Sequence, residues 1–173
     1  MLHLARRRPR PLIVRLVILA AGLLFAGLLL ASRAHAQEAV RSAAIVLLRG
    51  ADTVLVQRLT RTADRVESVV TGRGMPSISV TYELAPTHLI SRATFSARAP
   101  GAPVDAAPLQ RGSIAFERDT AHITLSAGTN ERVLHPATKP GALPLFNNDF
   151  TAFEQGVRIA RARGATSLVL PLL

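Results

Sequence analysis

The stretch Ser77–Leu84 alternates between apolar and polar side chains at every position. Ile78, Val80, Tyr82 and Leu84 occupy the even positions, and serine, threonine and glutamate occupy the odd ones. Because successive side chains of a strand point to opposite faces, this period predicts a strand with one buried face and one solvated face. Weaker versions of the pattern on both sides predict a mainly β protein, a curved antiparallel meander built around this strand.

Seven other segments are predicted to be strands, and short turn signals separate most of them. They are residues 43–48, 53–61, 65–71, 88–97, 112–118, 120–127 and 166–173. The turn Gly72-Arg73-Gly74 predicts a hairpin, since neither a helix nor a Lys-Ser/Thr pair follows it as a phosphate-binding loop requires. Residues 43–48 are apolar throughout, which indicates either a strand buried on both faces or one whose alternation is blurred.

Residues 99–108 interrupt the series of strands. Pro100, Gly101, Pro103 and Pro108 lie among alanines there. Because proline cannot donate to a strand ladder, the segment is predicted to be a loop. Loops of about ten residues inside compact domains tend to be functional or disordered.

One helix is predicted near the carboxyl end of the chain. Asn147 and Asn148 suit its cap, Asp149 suits its positive end, and Gly164 suits a left-handed stop. Apolar side chains recur at three- and four-residue steps: Phe150, Phe153, Val157 and Ala160. We predict that this apolar face packs on the concave side of the sheet.

The side chains between sheet and helix are the predicted core and the candidate apolar ligand face. The set consists of Ile78, Val80, Tyr82, Leu84, Phe95, Phe150, Phe153 and Val157. If Phe153 lies in this core, truncating it to alanine should cost roughly 3–5 kcal/mol.

The first 36 residues have the composition of a signal peptide. A basic beginning is followed by the uncharged residues 16–31, and Ala34 and Ala36 supply the small side chains that a signal peptidase requires. We therefore predict that the mature chain begins at Gln37 and that residues 37–173 form one domain in the periplasm or outside the cell. An uncleaved membrane anchor is the alternative, although residues 16–31 are shorter than the roughly 20 residues of a membrane span. The arginine cluster also fits the twin-arginine export route.

Six arginines of the leader account for +6 of the formal net charge of +10, which leaves +4 on the mature part. A nucleic-acid-binding domain would gather its basic residues into a stripe with interleaved aromatic side chains. The arginines here are scattered along the strands, with one tyrosine and no tryptophan in the whole chain. We predict no nucleic-acid partner.

The chain contains no cysteine, which excludes a disulfide, a thiolate metal site and a cysteine nucleophile. The histidines of the mature part, His88, His122 and His135, match no zinc motif. His88 and His122 both lie in the polar register of their strands, so they are either ordinary surface histidines or a pair that faces across the sheet. His135 precedes a proline and is predicted to lie in a loop.

No motif of a catalytic site is present. Gly-x-Ser-x-Gly does not occur, and the carboxylates cluster at turns, where capping and solubility explain them. A glycosidase pair among those carboxylates depends on their separation in space, which the sequence does not give. We predict that this chain has no enzymatic activity and no cofactor.

A leader followed by successive antiparallel strands and a phenylalanine-rich helix resembles the half-barrel group of periplasmic lipoprotein-carrier proteins and related envelope proteins. The resemblance covers most of the mature chain and implies a curved sheet that shields an acyl chain or another hydrophobic ligand, with the helix as a lid. Three functions follow as hypotheses. The first is a non-enzymatic ligand-binding or envelope-maintenance domain, the second is an accessory domain of a longer secreted hydrolase, and the third is an inert structural module of the envelope.

The last predicted strand, residues 166–173, is the most apolar stretch outside the leader. No further strand follows to cover it, and apolar edge strands recruit other chains. We expect self-association through this strand, its insertion between other strands, or continuation in a longer gene product that this sequence truncates.

Overall fold

The computed structural model describes residues 40–167 and 169–173. The predicted signal peptide, residues 1–36, and the predicted mature start at Gln37 lie outside the described residues. Residues Val40–Leu173 form one compact unit. No helix within the described ranges is long and apolar enough to cross a membrane.

The described chain folds into one open antiparallel sheet and a single helix near its carboxyl end. The elements are β1 (Arg41–Arg49), β2 (Asp52–Arg61), β3 (Arg65–Gly72), β4 (Ser77–Leu84), β5 (Ile90–Arg98), β6 (Gln110–Glu117), β7 (Thr120–Ala127), β8 (Asn130–Leu134) and α1 (Thr151–Ala162). The eight strands lie in the sheet in their chain order, and every neighbouring pair is antiparallel. The predicted meander with one helix is confirmed.

The central strand has the limits that its alternation predicts. β4 runs from Ser77 to Leu84, and Val80, Tyr82 and Leu84 are buried on the face that carries the helix, here called the inner face. In the register of the sheet, Tyr82 lies between Val66 of β3 and Ala93 of β5, which are also buried. The apolar sides of three neighbouring strands therefore meet on one face.

Connections between the strands follow the predicted turn chemistry. β3 ends at Gly72 and β4 begins at Ser77. Gly74, in the turn between them, has a φ of +69°, a conformation that favours glycine. Residues 99–109 connect β5 to β6 without regular structure, which confirms the predicted loop. Gly112 is required by close packing, because a Cβ there would lie 2.5 Å from the Thr124 carbonyl oxygen and 2.6 Å from the Phe95 ring.

The helix packs on the inner face through a different side from the predicted one. Its buried residues are Thr151, Ala152, Gln155 and Ile159. Phe153 is 59% exposed and Val157 is 51% exposed, so the prediction that they belong to the core is wrong. The sheet beneath the helix carries polar side chains, and burying these groups requires hydrogen-bonding partners. Thr151 and Gln155 supply such partners, whereas phenylalanine and valine cannot.

The helix also begins later than predicted. Its N-cap is Phe150, which makes no side-chain capping bond, and Asn147 and Asn148 lie before it. The first-turn amide of Thr151 instead donates to Asp149 Oδ1 at 2.8 Å. Gly164 has a φ of +61°, which confirms its predicted left-handed conformation.

Strand β1 occupies one edge of the sheet, and nearly all of its residues are exposed. The interpretation of residues 43–48 as a strand buried on both faces is therefore wrong. Strand β8 forms the other edge and had no predicted counterpart. Its five residues are too few to show an alternation, and all of them are exposed.

The prediction of a final strand over residues 166–173 is wrong for the residues that the structure describes. This segment forms no regular strand, and its end pairs with residues 143–145 through backbone hydrogen bonds. Leu143 donates to the Pro171 carbonyl at 2.9 Å, and Leu173 donates to the Leu143 carbonyl at 3.0 Å. Pro171 lacks an N–H and keeps the segment out of a regular ladder. The expected unpaired apolar edge strand is therefore not formed by these residues.

Candidate functional site

The predicted ligand-face residues divide into two groups. Five of them lie on the inner face of the sheet: Ile78, Val80, Tyr82, Leu84 and Phe95. These five belong to one core with Leu143 and Ala152, and Phe150 is half-buried at the start of the helix. Phe153 and Val157 lie apart from them on the exposed side of α1. The structure thus fills the predicted ligand face with the protein's own side chains.

Phe146, which precedes α1 in the chain, packs against the core on the inner face. Its ring centroid lies 5.1 Å from that of Phe95 and 6.1 Å from that of Tyr82, with the second pair close to an edge-on arrangement. Aromatic pairs at such distances stabilise a core beyond the area that they bury. The sheet and this ring leave the phenol oxygen of Tyr82 facing the helix.

A buried polar cluster joins the sheet to the start of α1. It consists of Gln57, Ser68, Tyr82, Asp149 and Thr151, each at most 3% exposed. Gln57 Nε2 lies 2.7 Å from Asp149 Oδ1, and Tyr82 Oη donates to Asp149 Oδ2 at 3.0 Å. Both carboxylate oxygens of Asp149 are therefore engaged.

Gln57 is the centre of the buried polar cluster. Its Nε2 also lies 2.9 Å from Ser68 Oγ and 3.0 Å from Thr151 Oγ1, while its Oε1 accepts the Phe150 amide at 3.0 Å. A primary amide has two hydrogens, so three acceptors share them. Among the described residues, no buried side-chain nitrogen or oxygen lacks a partner.

The environment of Tyr82 keeps its phenol protonated. Burial raises its pKa far above the ordinary value, and the negative charge of Asp149 and the hydrogen bond to it raise the pKa further. A neutral phenol that donates to a carboxylate, both of them closed to solvent, is a structural arrangement and not an activated acid or nucleophile.

A second set of contacts fixes the middle of the helix to the sheet. Arg61 of β2 contacts Glu154 at 2.5 Å and donates to Gln155 Oε1 at 2.8 Å. Gln155 Nε2 donates to the His88 carbonyl, and Glu154 also pairs with Arg158. These contacts give Glu154 two cationic partners, so it is not a free carboxylate.

An apolar groove lies on the other side of α1, between the helix and the carboxyl-terminal segment. Its volume is about 370 Å³. The residues that line it are Leu143, Ala152, Phe153, Gly156, Val157, Ala160, Thr166, Ser167, Leu170 and Leu172. Gly156 forms part of its floor, where a Cβ would lie 3.5 Å from Leu170 and 3.7 Å from Leu143. This apolar groove is the candidate functional site.

The histidines do not form the pair that the sequence suggested. His122 meets His135, with the two Nδ1 atoms 2.9 Å apart, and His88 lies in the turn between β4 and β5. No group of three or more histidine, cysteine or carboxylate side chains within the described ranges could hold a metal ion.

No protein-family model, curated protein or solved structure matches this chain. The likeness to periplasmic carrier proteins therefore rests on the pattern of strands and helix alone. It remains a prediction, and the functional argument depends on the geometry of the apolar groove.

Sequence reasoning missed two features of this region. Gln57 lies between Leu55 and Leu59 in the alternating pattern of β2, so its side chain points to the same buried face as theirs. The sequence alone could therefore have predicted that this amide is buried. The sequence contains no pattern that predicts the pairing of the groove residues Leu143 and Leu172, because they lie in two irregular segments that meet only in the folded chain.

Proposed function

We propose that the protein is an exported, non-enzymatic domain that binds a hydrophobic ligand, such as the acyl chain of a lipid, in the apolar groove. The observation that carries the proposal is the exposure of Phe153 and Val157, which lie one helical turn apart beside the groove. Large apolar side chains that cluster on a surface mark sites of interaction with other molecules. A volume of about 370 Å³ falls in the range of small-molecule sites.

The proposed ligand position is on the outside of the helix. The inner face of the sheet is occupied by core side chains and by the buried polar cluster, and opening it would leave Asp149 and Gln57 without partners. In this proposal α1 is a platform for the ligand and not a lid over it.

The state of the carboxylates supports a non-enzymatic role. Asp149 is buried against Gln57 and Tyr82, and Glu154 is paired with Arg61 and Arg158. Catalytic carboxylates need access to a substrate, which Asp149 lacks. The composition of residues 1–36 supports export and a role in the cell envelope.

Binding of a fluorescent long-chain fatty acid to the purified protein tests the proposal. Phe153→Ser removes a large part of the exposed apolar surface of the groove, so we expect affinity to fall on the order of tenfold, about 1.4 kcal/mol. Val157→Ser should act in the same direction with a smaller effect, because valine has less surface to contribute.

Val133→Ser on β8 is the matched control. Val133 is 53% exposed, close to the 51% of Val157, but it lies outside the apolar groove. It should leave fatty-acid affinity unchanged. Equal losses in Val133→Ser and Val157→Ser would refute the groove as the binding site, and no saturable binding by the parent protein would refute the function.

A further inference from the structure

The histidines His122 and His135 converge on the outer face of the sheet, the face opposite the helix. The strand register brings them together. Leu134 of β8 lies opposite Ile123 of β7, and because the strands are antiparallel, His135, which follows Leu134, lies beside His122, which precedes Ile123. Their rings are 4.8 Å apart between centroids and inclined by 70°, with the two Nδ1 atoms 2.9 Å from each other. The two imidazoles thus turn the same ring nitrogen toward each other.

The carboxylate of Glu117 faces the other nitrogen of His122. Its Oε2 lies 3.5 Å from His122 Nε2, and Glu117 belongs to β6, on the far side of β7 from β8. A neutral imidazole carries its proton on one nitrogen, and a carboxylate beside Nε2 favours that position. The lone pair of His122 is then left on Nδ1, pointing toward His135.

The separation of the two nitrogens fits a chelated metal ion. Metal–imidazole bonds are about 2.0–2.1 Å long, so two nitrogens 2.9 Å apart subtend an angle of about 90° at the metal. A right angle is the bite of square-planar or tetragonal coordination, which Cu²⁺ and Ni²⁺ prefer, and a tetrahedral Zn²⁺ site would need a wider separation. Among these ions, Cu²⁺ forms the strongest complexes with nitrogen ligands.

We propose that His122 and His135 chelate Cu²⁺ through their Nδ1 atoms. The negative charge of Glu117, 3.5 Å from His122 Nε2, attracts the proton to that nitrogen and so favours this orientation of the imidazole, a role that carboxylates commonly have beside metal-bound histidines. In the metal-free protein the same two Nδ1 atoms share one proton as a hydrogen bond. When the metal binds, this proton moves through water from Nδ1 to Nε2 of His135, so that both rings are neutral Nε2–H tautomers, and water completes the coordination on the exposed side.

This site is independent of the fatty-acid groove, since it lies on the opposite face of the sheet and uses none of the groove residues. Titration of the full chain with Cu²⁺, followed by electron paramagnetic resonance, tests it. His3 and His35 are replaced by alanine throughout, so that the amino-terminal segment contributes no imidazole. We expect one saturable site whose spectrum shows coupling to two nitrogens.

Single substitutions separate the roles of the three residues. His122→Asn and His135→Asn should each lower Cu²⁺ affinity at least tenfold and reduce the coupling to one nitrogen. Glu117→Gln should lower affinity about tenfold while both nitrogens stay bound, because it removes only the orienting partner. His88→Asn, which alters an exposed histidine outside the pair, is the control and should leave affinity unchanged.

The melting temperature of each metal-free variant establishes that its fold is intact. Three results would each overturn the proposal. These are the absence of a saturable site in the parent chain, retention of the site in the double variant His122→Asn and His135→Asn, and a loss in His88→Asn as large as that in His122→Asn.

Discussion

Tyr82 combines two environments in one side chain. Its ring packs in the apolar core against Phe146, and its hydroxyl donates to Asp149 at 3.0 Å. The chain contains no other tyrosine, so the phenol is a natural reporter of its own surroundings. Ionisation would place a phenolate beside a carboxylate without water to screen them, which costs far more inside the protein than in solution.

Stability should therefore fall at alkaline pH through Tyr82. Its pKa is raised in the folded protein, so the contribution is complete below the unfolded pKa of about 10 and decreases as pH rises above it. Above that pH the unfolded chain has released the proton and the folded chain retains it, which gives a slope of about 1.4 kcal/mol per pH unit. Urea unfolding followed by circular dichroism between pH 9 and about 12 measures this slope.

Tyr82→Phe is the control for this experiment. It removes the ionisable group, so the slope should become shallower by about 1.4 kcal/mol per pH unit. It should also lower stability at neutral pH by about 1–3 kcal/mol, because Asp149 loses a hydrogen-bond donor in a buried position. A slope unchanged by Tyr82→Phe would show that the phenol does not govern the alkaline transition.

The burial of Tyr82 could be predicted from sequence, and its partner could not. Alternation in Ser77–Leu84 places the ring on the inner face whatever the rest of the chain does. Asp149 is 67 positions away along the chain, and its turn-like surroundings suggest a solvated cap. Which carboxylate meets the phenol is decided by where the helix docks, and no local pattern contains that information.

At the scale of the element, α1 shows how an amphipathic helix can be assigned to the wrong side. Phe153 and Val157 form its most apolar edge, but the sheet beneath it offers Gln57, Ser68 and Arg61 as well as apolar residues. The side of the helix that docks is the one that both forms hydrogen bonds with the polar residues of the sheet and packs against the apolar ones. Hydrophobic spacing alone selects the opposite side, which lines the apolar groove.

Two substitutions on α1 distinguish the docked side from the exposed one. Ile159 is 2% exposed, so Ile159→Ala should cost about 2–5 kcal/mol through lost contacts and a cavity. Val157 lies two residues earlier and is 51% exposed, so Val157→Ala should change stability by no more than about 0.5 kcal/mol. Urea denaturation of both variants provides the comparison. Equal losses would mean that the helix docks as the sequence pattern suggested.

The strands were predicted best where their side chains alternate. β4 and β7 have the predicted limits, because both alternate from end to end and are bounded by turn residues. β8 was missed because Asn130–Leu134 is short and exposed, and it forms only by pairing with β7. Residues 166–173 have the composition of a strand, but in the part of this segment that the structure describes, Pro171 and the pairing with Leu143 prevent a regular strand.

On the scale of the whole molecule, the open sheet has two edge strands, β1 and β8, and β1 is the more apolar of the two. Val46, Leu47 and Leu48 are 51%, 47% and 58% exposed, and within the described residues β1 pairs with β2 alone. Soluble proteins usually protect such edges with charges, prolines or bulges. The charges of β1 lie only at its ends, at Arg41 and Arg49, and its register shift between Leu47 and Leu48 leaves residues 41–47 in regular pairing.

A lysine in the middle of β1 should therefore reduce self-association. Val46→Lys introduces a charge on the outer face of the edge strand, where pairing with another chain would have to bury it. We expect light scattering at high protein concentration to show smaller particles than for the parent protein. The melting temperature should change little, because the side chain is half exposed.

Thr81→Lys adds the same charge at the centre of the same face, on β4. It should leave self-association as in the parent protein, because β4 has a neighbour on both sides. If both substitutions reduced self-association equally, the reduction would be due to the added net charge, and edge pairing would be the wrong explanation.

The hydrogen bond between Gln57 and Asp149 joins residues 92 positions apart, whereas the strands pair in the order of the chain. A chain that emerges from its amino end can form each hairpin as soon as the second strand appears. Val66, Val80 and Tyr82 must nevertheless wait for Leu143 and Ala152 to cover them. During folding there is thus an interval in which the sheet is nearly complete but its apolar inner face is exposed to non-native contacts with other molecules. This interval ends when the carboxyl-terminal segment with Leu143 and Ala152 packs on that face.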